Sequence, residues 1–153
     1  DRLVAAVAAN HLREAHRSAI VVDAGSAITV DLVAPDGSFQ GGAIYPGFRL
    51  SAQALFQGAD LLPLADIQPL GTPPEPLGKE TTEAIRSGLF WGGVGAVREL
   101  VARLTDTAIG DFGEFPPHIF ITGGDLRQLA LFIPESLFVP NMVLAGIALV
   151  TPQ

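Results

Sequence analysis

Residues 21–31, Val-Val-Asp-Ala-Gly-Ser-Ala-Ile-Thr-Val-Asp, constrain the fold more than any other stretch of this chain. An apolar run leads into Asp23, turns at Gly25 and leaves through Ser26-Ala27-Ile28-Thr29-Val30. β-Branched residues flanking small ones predict two antiparallel strands joined by a tight turn. The turn gathers a carboxylate, a glycine N–H and a hydroxyl within a few residues. Such a cluster can hold a phosphate oxygen and a cation together, and nucleotide phosphates need both. Taken by themselves, these residues fit an ordinary surface hairpin equally well.

The flanking sequence reads as alternating helices and strands. Residues 3–16 are alanine-rich, with Leu3, Val7 and Leu12 forming the narrow apolar stripe of a helix. Strands are expected at 19–23, 26–33 and 38–44, the last two separated by the Pro35-Asp36-Gly37 turn. After Tyr45-Pro46-Gly47, residues 48–57 suit a helix, and the proline- and leucine-rich stretch 60–77 reads as a long loop of the kind that is often functional. Residues 81–104 form the longest helical pattern, with Ile85, Leu89, Val97, Leu100, Val101 and Leu104 on one side. Within it Gly88, Gly92 and Gly95 recur at helical spacing. Glycine costs about 1 kcal/mol against alanine there, so the stripe predicts close approach of another backbone. A strand at 119–122 runs into Gly123-Gly124-Asp125 at the mouth of a helix over 126–132, and 140–150 reads as a last, buried helix.

Composition bounds the function. The 153 residues, 48% hydrophobic and 16% charged, suit one domain over 1–153 that buries roughly two-thirds of its unfolded surface. A net charge of −7 argues against a nucleic-acid or anionic-membrane surface, so an anionic substrate has to be held by local donors and cations. No apolar run approaches the ~18 residues of a membrane span, and no basic, apolar secretory start is present. Without cysteine there are no disulfides or thiolate metal sites. The cytoplasm is the default location. The chain opens on Asp1, already inside an element, and is expected to be a piece of a longer protein.

Four places could carry chemistry. Asp1-Arg2 heads the first helix, where capping is the simpler reading and a general base beside a cationic clamp is the functional one. Gly78-Lys79-Glu80-Thr81 precedes the long helix; Thr81 or Thr82 is expected to cap it, leaving the other free for a ligand. Thr122-Gly123-Gly124-Asp125 would let a flat or anionic group approach the backbone at a helix start. The hairpin tip, Asp23 to Ser26, is the fourth. His11, His16 and His118 lack ligand spacing. Neither a P-loop nor a Gly-x-Ser-x-Gly elbow is present.

In order, these pieces resemble the type III pantothenate kinase family. The matching residues are Asp1-Arg2 with its alanine-rich helix, the 21–31 motif, Gly37 with 39–42, Ile44 and Pro46-Gly47, Leu55 through Leu62-Pro63, 78–88, 122–125, and Pro140 with 143–147. The resemblance runs nearly end to end and corresponds to the C-terminal half of a two-domain kinase. It implies an α/β fold like the second domain of the actin, hexokinase and Hsp70 (ribonuclease H-like) superfamily. That fold is a three-stranded antiparallel meander plus parallel strands with packed helices. The implied activity is ATP-dependent phosphorylation of pantothenate to 4'-phosphopantothenate, the first step toward coenzyme A, by a homodimer using potassium or ammonium and magnesium. By the same resemblance Asp1 is the base, and Asp1, Arg2 and Thr81 bind pantothenate. Asp23 holds the monovalent cation, and Gly25, Ser26, Gly123 and Gly124 meet ATP.

Ser26 stands where the family usually has threonine, which keeps the hydroxyl. The family's first domain, with its Asp-x-Gly-Asn-Thr phosphate motif, is absent from this sequence, so the fragment alone is expected to be inactive. The alternative is a non-catalytic accessory or regulatory homologue; retention of Asp1, Arg2, Asp23, Ser26 and Thr81 favours the enzyme.

Overall fold

The computed structural model describes residues 1–67, 72–113, 115–124 and 127–151. Three strands, β1 (Ala19–Ala24), β2 (Ala27–Val33) and β3 (Phe39–Pro46), form an antiparallel meander, with β2–β3 interrupted by a bulge at Leu32/Val33. β4 (His118–Thr122) lies parallel to β1, and β5 (Ser136–Phe138) parallel to β4. The sheet order is β3-β2-β1-β4-β5. A parallel partner requires a long crossover, which here carries α2 (Phe48–Gly58) and α3 (Thr81–Phe112).

The unbroken apolar run at the start of β1 follows from burial of both faces. Ile20, Val22 and Ala24 join Ile28, Val30, Leu32 and Ile121 under α2 and α3. Ala19 and Val21 join Val33 and Phe120 on the other face, under α1 (Arg2–Leu12) and Met142 of α4 (Met142–Val150). Ala5, Ala6, Ala8 and Ala9 bring α1 close to the sheet.

Helix α1 stops at Leu12 rather than 16. Arg13 is extended, and its guanidinium bonds the carbonyls of Glu14, Ala15, Arg17 and Pro35, replacing the helix with a knotted turn. Helix α3 instead runs past 104 to Phe112, because Ala108 docks in the core and outweighs the weak propensities of Thr105, Thr107 and Gly110. Its buried line is Phe90, Val94, Val97 and Val101, with Phe90 packed among Phe48, Trp91 and Phe132.

Two further expectations need correction, and a third is not met within the chain. The helix at 126–132 is a 3-10 helix, Arg127–Leu131, its tighter path returning the chain to the β4 edge where β5 pairs; Leu126 lies outside the described residues. Within this one chain the glycine stripe finds no partner among the described residues, a Cβ at Gly88, Gly92 or Gly95 having no neighbour within 4 Å, and it is Gly93 that seats the Phe48 ring. The last helix is not buried either, since only Met142 and Gly146 are covered. Gly146 lies so close to the Val4 backbone that a Cβ there would sit 1.9 Å from the Val4 carbonyl oxygen.

Segment 60–67 and 72–77 contains no helix or strand; the intervening residues 68–71 lie outside the described set. Ala65 and Ile67 are buried. Three bonds tie the segment to α3: Arg86 Nε donates to Asp66 O (2.7 Å), Ser87 Oγ to Pro76 O (2.7 Å) and Trp91 Nε1 to Pro74 O (3.0 Å).

Candidate active site

β1 and β4 end at the same edge of the sheet, with Asp23 opposite Thr122. Helix α1 finishes beside the start of β1, and its 11 residues rise about 16 Å while six strand residues rise about 20 Å. The head of α1 therefore returns to the level of Asp23. Ligands of open α/β sheets collect at this C-terminal edge of the parallel strands.

One ion pair locks the two parts together. Arg2 Nε donates to both oxygens of Asp31 at 3.0 and 3.1 Å, and Nη2 donates to Oδ1 at 2.5 Å. Asp31 is 2% exposed and the Arg2 side chain 33%. The carboxylate has room because Gly42 lies opposite in the β2–β3 register; a Cβ there would sit 2.5 Å from Asp31 Oδ1. Arg2 also stacks over the Phe39 ring at 5.4 Å. Hydrogen bonding to Asp31 holds the guanidinium protonated more firmly than usual.

Asp1 occupies the N-cap position of α1, but its side chain makes no capping bond, and the residue is exposed. Capping therefore does not engage this carboxylate. Asp23 is half-buried at the end of β1, and burial raises its pKa, with Asp31 acting in the same direction. Directly across the strand pair lies Thr29, whose buried Oγ1 has no hydrogen-bond partner among the described residues. A desolvated carboxylate beside an orphaned hydroxyl is a donor set that fits an oxygen-liganded cation. No group of three or more His, Cys, Asp or Glu side chains placed to hold a metal occurs among the described residues, so the pair does not build a carboxylate-rich divalent site.

The hairpin tip differs from expectation in detail. The Gly25 N–H donates to Ala27 O at 3.0 Å within the turn, and Gly47 N–H donates to Ser26 O at 3.2 Å. What the tip presents outward is exposed Ser26. Beside it, Gly123 at φ 110° packs over the backbone of Ala24, an approach that excludes any Cβ. Gly124 is exposed with open space at its Cβ position. Thr122 is buried, and its Oγ1 accepts the Met142 N–H at 3.3 Å, so this hydroxyl starts α4. Asp125 lies outside the described residues.

Thr81 stands apart. Helix α3 packs on the face opposite α1, and its 32 residues extend about 48 Å. Its first turns are held by the 60–77 segment rather than by the sheet. Glu80, not a threonine, is the N-cap, without a side-chain bond, and the Glu83 carboxylate accepts the Lys79 N–H at 2.9 Å. Thr81 is exposed. Next to it a cavity of about 350 Å³ is lined by residues that include Gly78, Lys79, Glu83 and Arg86.

Asp31 and Thr29 were not singled out by sequence reasoning, though both lie in the 21–31 motif. An acidic residue inside an apolar strand, followed by a strand carrying Gly41-Gly42, was the available signal.

The family model for type III pantothenate kinase matches residues 1–103, which include Asp1, Arg2, Asp23, Ser26 and Thr81. The chain belongs to that family. A type III pantothenate kinase of Alkalilimnicola ehrlichii is 38% identical over 149 residues, covering 97% of this chain and 56% of the relative. One from Anaeromyxobacter sp. is 44% identical over 124 residues, covering 81% of this chain and 45% of the relative. The chain thus spans about half the length of the pantothenate kinases it matches. Among solved structures, a Campylobacter jejuni protein described as a Baf family transcriptional activator superposes with a TM-score of 0.60 at 22% identity. That likeness covers 95% of this chain and 61% of the other, and it speaks to fold alone.

Proposed function

We propose that this chain supplies the acceptor-side half of a pantothenate kinase, which phosphorylates the terminal hydroxyl of pantothenate from ATP. The carrying observation is the placement of the free Asp1 carboxylate beside Arg2, with the Arg2–Asp31 pair fastening both to the edge where Asp23 ends. Asp1 accepts the hydroxyl proton as that oxygen attacks the γ-phosphorus and ADP leaves. Arg2 binds pantothenate through the part of its guanidinium that Asp31 leaves exposed. Ser26 faces the phosphates, and Gly123 and Gly124 admit the nucleotide. Asp23 with Thr29 Oγ1 would hold potassium or ammonium, and this cation, with magnesium on the triphosphate, would offset negative charge during transfer.

The strand order and mixed pairing support an actin, hexokinase and Hsp70-like domain. Thr81 lies on the opposite face from Asp1, which suits a pantothenate site shared between two copies of a homodimer. We place the enzyme in the cytoplasm; no helix among the described residues is long and apolar enough to cross a membrane.

The test joins this chain to the part of the Alkalilimnicola enzyme that it does not match. Pantothenate-dependent ADP release is expected, and Asp1→Asn should lower kcat by about 10²–10⁴ with the KM for ATP little changed. A folded joined protein that binds nucleotide without turning over pantothenate would favour the accessory, regulatory reading. Full activity in Asp1→Asn would remove the base.

A further inference from the structure

Regular alternation along β3 would put Phe39 on the wrong side of the sheet. Gly42 lies opposite Asp31, on the face that α1 covers. In an unbroken strand Gln40 would share that face and Phe39 would turn toward α2 and α3. The register shift between Leu32 and Val33 reverses this, because Gln40 is left out of the pairing and Phe39 pairs with Val33. Gly41, at φ 94°, supplies the left-handed backbone that glycine brings to such a bulge. One extra residue thus moves an aromatic ring to the α1 face. Phe39 packs there against the α1-side core, and the Arg2 guanidinium carbon sits over its ring at 5.4 Å. Gln40 is exposed, and its amide donates to Ser38 Oγ.

Arg2 is therefore held from two directions. Asp31 takes Nε and Nη2, which fixes one edge of the guanidinium, while Nη1 has no hydrogen-bond partner among the described residues. A carboxylate gripping one edge lets the plane tilt. A ring against the plane sets that tilt, because the cation is drawn to the face of the π-system. We propose that Phe39, brought under Arg2 by the bulge at Gly41, is a positioning residue that turns the free Nη1 edge toward the acceptor. The proposal rests on the reading of Arg2 as an acceptor-binding group and adds what aims it. The group that Nη1 meets is an oxygen, of a carbonyl, hydroxyl or carboxylate, since a guanidinium only donates. Bulges recur beside active sites because they re-aim one side chain while the rest of the ladder stays paired.

Two measurements separate this role from packing. In the chain itself, nitrogen NMR relaxation reads the Arg2 Nε–Hε group, assigned by its disappearance in Arg2→Lys. Phe39→Leu and Phe39→Met keep an apolar side chain against α1 but remove the ring. The Arg2 order parameter should drop in both and be restored in Phe39→Tyr. In the enzyme joined to the unmatched part of the Alkalilimnicola protein, either variant should raise the KM for pantothenate about tenfold, with kcat and the KM for ATP within about twofold. Phe39→Tyr should return that KM to the natural value. An Arg2 group equally rigid without the ring overturns the proposal, because Asp31 then suffices. So does an unchanged KM for pantothenate, or a loss spread evenly over kcat and both KM values, which marks a packing defect. Failure of both ring-less variants to fold would show Phe39 to be core and equally overturn it. A joined protein that turns over no pantothenate, while Arg2 still loosens in Phe39→Leu, removes the kinase reading and leaves the positioning of Arg2 by Phe39 standing.

Discussion

Asp31 is buried, charged and in an otherwise apolar strand, so its partner decides whether it helps or harms. The three bonds from Arg2 satisfy it, and Gly42 opposite leaves it room, since a Cβ there would crowd Asp31 Oδ1. Asp31→Asn keeps the shape but removes the charge, and should lower stability in urea unfolding by about 1–3 kcal/mol. In the joined enzyme it should raise the KM for pantothenate more than it lowers kcat, because Arg2 loses its orientation; an unchanged KM would make the pair purely structural. His118 sets a second expectation. Burial holds its imidazole below the ordinary 6.5, Arg17 and His16 act in the same direction, and Glu14 at 3.9 Å opposes them. As pH falls through 6.5 the unfolded chain binds this proton first, so stability drops below that pH and is fully present above it. Thermal midpoints at neutral pH and at about pH 5 should differ less in His118→Gln than in the natural chain.

At the scale of elements, two glycines in helices have opposite roles. Gly146 meets the Val4 backbone, whereas Gly110 in α3 has nothing within 4 Å of a Cβ. Gly146→Ala should therefore destabilise by about 1–3 kcal/mol, and Gly110→Ala should stabilise by up to about 1 kcal/mol. Matching effects at the two sites would show that α1 and α4 do not pack as described. The same logic explains where element boundaries escaped the sequence. Arg13 ends α1 through carbonyls as distant as Pro35, and Ala108 extends α3 through the core. β5 is three residues long and acquires strand geometry only by pairing with β4. No local periodicity reports such partners.

For the whole molecule, the candidate site occupies one edge of one sheet, and the chain spans 56% of the Alkalilimnicola relative. Phosphoryl transfer needs triphosphate and acceptor held together, and a displacement of ~1 Å can cost 10²-fold. The 153-residue chain by itself should release no pantothenate-dependent ADP above background, while the joined enzyme does. Robust turnover by the isolated chain would mean that this edge binds both substrates unaided.

The hairpin of residues 21–31, the meander and the order of the main helices were legible in the sequence. Alternation, turn residues and β-branching act locally, and the chain cannot satisfy them another way. The Asp1-Arg2 pair and Asp23 stood out in the sequence as residue types in a recognisable order, and their roles remain proposals. Tertiary structure alone decided that Arg2 faces Asp31, that Thr29 Oγ1 finds no partner among the described residues beside Asp23 and that Gly25 closes its own turn. It also decided that, within the chain, Gly146 against Val4 and Gly93 against Phe48 are where glycines let helices meet. Each of these depends on which faces meet across the sheet. That is settled by summed burial over distant segments, and no single stretch of sequence contains it.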